Sequence, residues 1–189
     1  MLYFIGGKSQ VGKSEIAKKI GIQNDHISIV HTDMWRVWIP GHDPDELGWP
    51  RITQFINSNK NQLDMLVEGV AVTPERVKKL EDENTLRAAF VGYGNEEYVN
   101  AMLRYAEAHP NEYLYKEEAR RKTAGEPSHR ENFTEQVSGS EELRKQAEAM
   151  GYKYFGMTEP PSFEERIQPI IDYLLYGSYL NHKGFGMLQ

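Results

Sequence analysis

The sequence predicts an α/β fold, a parallel sheet carrying helices on both faces. Three observations lead there. Short apolar runs alternate along the chain with longer segments of helical spacing, the pattern of strand–helix–strand crossovers. The first apolar run, Leu2-Tyr3-Phe4-Ile5, leads directly into Gly7-Lys8-Ser9-Gln10-Val11-Gly12-Lys13-Ser14, which matches G-x-x-x-x-G-K-[ST]. That loop then opens a helix, Glu15-Ile16-Ala17-Lys18-Lys19-Ile20, whose Ile16 and Ile20 lie four apart on one face. A loop that leaves a buried strand and enters a helix brings backbone N–H groups and a helix N-terminus onto one anion. In that geometry Lys13 reaches the β- and γ-phosphates of a nucleoside triphosphate. Ser14 gives a hydroxyl to Mg²⁺, and Gly7 and Gly12 let the backbone come close. The whole of residues 7–14, including Lys8, Ser9, Gln10 and Val11, is expected to line the nucleotide.

The remaining elements follow in order. Strands are expected at residues 1–5, 26–31, 63–68, 85–91 and 152–155. Helices are expected at 14–22, 51–60, 96–107 and 162–176, with another beginning after Thr73, a good N-cap followed by proline at the first helical position. Pro40-Gly41 and Gly48-Trp49-Pro50 read as breaks before the second helix, and Gly92-Tyr93-Gly94 as the end of the fourth strand. Residues 111–150 read as helical and heavily charged, interrupted near 125–127 and at Ser138-Gly139-Ser140. Ser162 with Glu165 three residues on has the pattern of a capping box.

Composition narrows the functional classes. At 189 residues with 39% apolar and 26% charged content, the chain suits one globular domain spanning 1–189. A chain of that size buries about 70% of the surface its unfolded form exposes. A net charge of −6, with no long block of lysine and arginine, disfavours a nucleic-acid partner. The absence of cysteine excludes disulfides and thiolate chemistry. Its six histidines show no ligand spacing that suggests a transition metal. No charged segment precedes the first apolar run and no apolar stretch approaches membrane-spanning length, so a cytoplasmic location without membrane contact is expected.

In parallel sheets ligands sit outside the carboxyl ends of the strands, so the ends of strands two and three carry the next information. Asp33, at the end of strand two, can accept the proton of an acceptor hydroxyl, order Mg²⁺ through water, or simply cap the next helix. Arg36 follows it. Glu68, at the end of strand three and followed by Gly69, can serve as a metal-ordering carboxylate, touch the acceptor, or pair with a neighbouring cation. Trp35, Trp38 and Trp49 can stack on a ligand or pack a helical cap onto the core. His31 reads as a strand-end histidine.

On residues 7–14, Asp33-x-x-Arg36 and Leu66-Val67-Glu68-Gly69, the chain resembles the P-loop small-molecule and nucleotide kinases. That group includes adenylate, shikimate, gluconate and polynucleotide kinases. The resemblance implies a five-stranded parallel sheet ordered 2-3-1-4-5, ATP and Mg²⁺ as cofactors, and Asp33, Arg36, Glu68 and Gly69 on the acceptor side. It also implies an arginine-bearing lid before strand five, within 111–150, for which Arg120, Arg121 and Arg130 are the candidates. The loop after strand five, 156–161, would border the adenine. The activity implied is phosphoryl transfer to a hydroxyl or phosphate of a small molecule, with nucleoside, nucleotide or polynucleotide 5′-hydroxyl acceptors as an alternative. A nucleotide-binding switch or regulatory ATPase is the alternative of another class. No N-K-x-D base-reading motif follows strand four.

Overall fold

The computed structural model describes residues 1–35, 44–81, 86–110, 122–125, 133–159 and 161–177. Five strands form one sheet: β1 (Leu2–Gly7), β2 (Ile27–His31), β3 (Asp64–Gly69), β4 (Leu86–Tyr93) and β5 (Lys153–Met157). Their order is β2-β3-β1-β4-β5, and every neighbouring pair is parallel. Among the described residues, helices α1 (Lys13–Gln23), α2 (Pro44–Asn59), α3 (Pro74–Glu81), α4 (Glu96–Ala108), α5 (Phe133–Ala149) and α6 (Phe163–Tyr176) connect or follow them. A 3-10 turn, Thr32–Trp35, follows β2.

Both faces of the sheet are covered, which is why its strands read as continuous apolar runs. Along β1 the side chains alternate between two cores. Tyr3 and Ile5 join Ile16, Ala17 and Ile20 of α1, Tyr98 and Val99 of α4, and Ile167, Ile170, Ile171 and Leu174 of α6. Leu2 and Phe4 face the opposite way, onto Ile52 and Ile56 of α2, Val77 and Leu80 of α3, and Ala147 of α5. Phe4, fully buried at the centre, contributes on the order of 3 kcal/mol by burial alone.

The two anticipated helix starts are built as the sequence indicates. The Thr73 hydroxyl accepts the Arg76 N–H at 3.3 Å. Ser162 and Glu165 form a reciprocal capping box at the start of α6. Among the boundaries that differ from expectation, three trace to a tertiary contact. Helix α2 starts before Gly48-Trp49-Pro50 and carries Pro50 inside it. An interior proline costs about 3 kcal/mol, here offset by full burial of Ile52 and Ile56 and by Trp49 packing on the same core under the Arg76 guanidinium. Helix α5 runs unbroken through Ser138-Gly139-Ser140. Ser140 is buried, donating to the Gln136 carbonyl at 2.8 Å and accepting the Tyr93 N–H at 3.0 Å. Ser140 is there for close packing on β4, not to end the helix. Strand β4 extends through Gly92 and Tyr93 because both pair with β5, at Gly156 and Met157.

Candidate functional site

The carboxyl ends of β1, β2 and β3 lie side by side, with Gly6 level with Gly69, and Ile5 and His31 flanking Glu68. The loop after β1 turns through left-handed backbone at Gly7 (φ 140°), Gln10 (φ 60°) and Gly12 (φ 88°). A left-handed glutamine stores about 1 kcal/mol of strain, a cost that concentrates at functional loops. The loop is tied down from several sides. The Lys8 N–H donates to Val91 O at 3.1 Å, the Tyr93 hydroxyl donates to Ser9 O at 2.9 Å, and the Phe163 ring occupies the space a Cβ at position 12 would take.

Lys13 is the first residue of α1 and only 6% exposed. Its ammonium donates to the Lys8 carbonyl at 2.5 Å and forms no ion pair with a described residue. Burial pulls its pKa down to about 8, opposed by the negative charges of Glu68 and Asp33. That opposition places both carboxylates in the field of the same ammonium. A buried cation resting on a neutral carbonyl is what an incoming phosphate would neutralise.

Glu68 is buried at 4% exposure, and one of its oxygens serves two partners. Ser14 Oγ donates to Oε1 at 3.1 Å, and His31 Nδ1 lies 2.5 Å from the same atom. Ser14 and Glu68 thus present two oxygens together beside the cradle, a donor set that suits Mg²⁺, which takes one or two protein oxygens along with phosphate oxygens and water. His31, which reads from the sequence only as a strand-end histidine, is the member of this group that the sequence does not reveal. Its partner is 37 positions away, and only the level pairing of β2 with β3 brings the two together.

Gly69 has φ 142°, and a Cβ there would fall 1.9 Å from the buried Thr32 Oγ1. Close contact between the ends of β2 and β3 therefore demands glycine. Gly69→Ala is expected to cost about 2 kcal/mol or more, read as a lower denaturant midpoint at unchanged m-value; an unchanged midpoint would contradict the packing.

Asp33 sits exposed in the 3-10 turn rather than as the cap of a long helix. Beyond it, Met34 and Trp35 with Arg51, Gln54, Phe55 and Ser58 of α2 line a cleft of about 560 Å³. The Trp35 and Phe55 rings meet at 5.3 Å, and both pack against the core. On the far side of the cradle, the loop after β5 is fastened internally. Asn95 bonds the Glu159 carbonyl and N–H, both at 3.2 Å. Arg166 donates to the Thr158 and Pro161 carbonyls and to the Glu159 carboxylate, and its guanidinium lies 4.9 Å from the Tyr98 ring centroid. Arg36, Trp38, Arg120, Arg121 and Arg130, with most of the lid segment, lie outside the described residues.

Known proteins give a likeness of fold. No protein-family model matches the sequence, and no curated protein matches it significantly. The solved structure of an uncharacterised protein from Eubacterium ventriosum is similar over 92% of this chain and 97% of that one, at 14% identity and a TM-score of 0.52. A sugar kinase from Janibacter sp. aligns over 55% of this chain and 65% of its own, at 11% identity and a TM-score of 0.43. A gluconokinase from Sinorhizobium meliloti aligns over 50% and 58%, at 19% identity and a TM-score of 0.39. The chain therefore spans less than two thirds of either kinase. The sheet order, with the cradle leaving its central strand, decides the architecture. The fold is a P-loop α/β/α sandwich with a five-stranded parallel sheet. Among the described residues no helix is long and apolar enough to cross a membrane.

Proposed function

We infer that this chain is an ATP-dependent phosphotransferase, moving the γ-phosphoryl group to a hydroxyl or phosphate of a small molecule. The observation that carries the reading is the buried Lys13 ammonium, held at the cradle in the field of Asp33 and Glu68. In this reading residues 7–14 hold the triphosphate and Lys13 stabilises negative charge as the phosphoryl group departs. Mg²⁺ would be held by Ser14 and Glu68, and when bound it neutralises charge on the phosphates. His31 and Ser14 hold the same Glu68 oxygen. Asp33, exposed beside the 560 Å³ cleft, orients or deprotonates the acceptor. The cleft's aromatic wall and the Arg51 guanidinium suit a small acceptor that also carries an anionic group.

The lid arginines complete the scheme. Arg120, Arg121 and Arg130 would add positive charge over the transferring group once water is excluded. Alanine at each in turn is expected to lower turnover for at least one of the three and to leave others near wild type. Wild-type turnover in all three variants would remove the lid from the mechanism.

The test of the function is ADP release with Mg²⁺ and ATP over a panel of alcohols, sugars, nucleosides and nucleotides. Stimulation by one chemical class is expected. Slow hydrolysis that no acceptor stimulates would instead support a nucleotide-dependent switch.

A further inference from the structure

Resting on that nucleotide-binding reading, we propose that Lys8 is a second phosphate-binding cation of this cradle, acting on the γ-phosphoryl group. Lys8 leaves the loop one residue after Gly7, and its carbonyl is where the Lys13 ammonium rests. In the proposed reading Lys13 meets the β- and γ-phosphates, and Lys8 stands directly beside it in the loop. Its side chain runs over the middle of α5, where a Cβ at position 139 would lie 2.3 Å from Lys8 Nζ and 2.9 Å from its Cε. The half-buried lysine thus lies across the helix that packs beside the cradle.

The surroundings leave this ammonium free for an anion. No hydrogen bond or ion pair joins Lys8 Nζ to a described residue. The helix's own acids one turn along are occupied, Glu141 with Arg144 at 2.6 Å and Glu142 with Gln146 at 2.9 Å. The contact is also fixed from both sides. Tyr93 donates its hydroxyl to Ser9 O, beside Lys8, and its N–H to Ser140 Oγ, beside Gly139. Loop and helix are thereby held at one spacing, and Lys8 is presented at the cradle rim by a backbone that cannot drift from α5. A lysine there adds a point charge at the terminal phosphate without depending on lid closure.

The experiment measures binding of a non-hydrolysable ATP analogue and of ADP, each with Mg²⁺, by calorimetry. Lys8→Ala is expected to weaken the triphosphate analogue about 10- to 100-fold, the range for a lost charge-assisted contact, while ADP weakens less than about threefold. Lys8→Arg should recover most of the loss. Equal losses for both nucleotides, or none for either, in a folded Lys8→Ala variant would overturn the proposal and leave Lys8 as a packing stem. If Lys13→Ala loses both nucleotides while Lys8→Ala keeps both, the cradle reading stands and only this inference falls. If the wild-type protein binds neither nucleotide, both fall.

Discussion

Lys13→Ala is expected to reduce phosphoryl transfer by at least about 10²- to 10³-fold, the usual cost of removing one charge-stabilising group from a water-excluded site. The fold should survive. The ammonium is buried on a carbonyl without an ion-pair partner among the described residues, and burial penalises its charge strongly enough to bring the pKa to about 8. Removing such a group relieves a desolvation cost, so the melting temperature should not fall by more than a few degrees. A folded variant that keeps more than a few per cent of activity would contradict the cradle.

The same residue sets two opposite pH dependences. In the unfolded chain Lys13 titrates near its ordinary 10.5, and in the folded protein near 8. Between those values the unfolded state holds more protons, so nucleotide-free stability rises with pH across that window, and below pH 8 the burial penalty is fully present. Triphosphate binding needs the ammonium, so affinity falls as pH rises above about 8. Both trends should vanish in Lys13→Ala.

Asp33→Asn keeps the size and hydrogen-bonding reach of the side chain and removes its charge. Turnover is expected to fall about 10²- to 10⁴-fold, the range for a general acid–base group. Nucleotide affinity should change little, since residues 7–14 are untouched. Asp33 occupies a four-residue 3-10 turn and is exposed, so a substitution there has no buried contact to break. Unchanged turnover with unchanged stability would remove Asp33 from the chemistry, because asparagine caps a turn about as well as aspartate.

Local chemistry made much of this molecule legible in its sequence. The cradle was readable because its motif is contiguous and its flanks declare a strand and a helix. The strand order came from the family resemblance, and the sheet has that order. Thr73 and Ser162 were readable as caps because capping acts over three residues. What stayed hidden depends on long-range contact. His31 meets Glu68 only because β2 and β3 end level. Ser138-Gly139-Ser140 reads as a helix break, yet the helix continues because Ser140 packs on β4 and takes the Tyr93 N–H. Pro50 lies inside α2 because burial of Ile52 and Ile56 outweighs its local cost. In each case packing overrode a local propensity, and spacing along the chain carries no trace of the partner.

The central claim is that this protein transfers a phosphoryl group to an acceptor other than water. The direct measurement incubates it with Mg²⁺, ATP labelled on the γ-phosphate, and a small-molecule metabolite extract, and then separates inorganic phosphate from organic phosphates. Label is expected in a new organic phosphate with the wild-type protein and none with Lys13→Ala. Label appearing only as inorganic phosphate, or equally with both proteins, would contradict it.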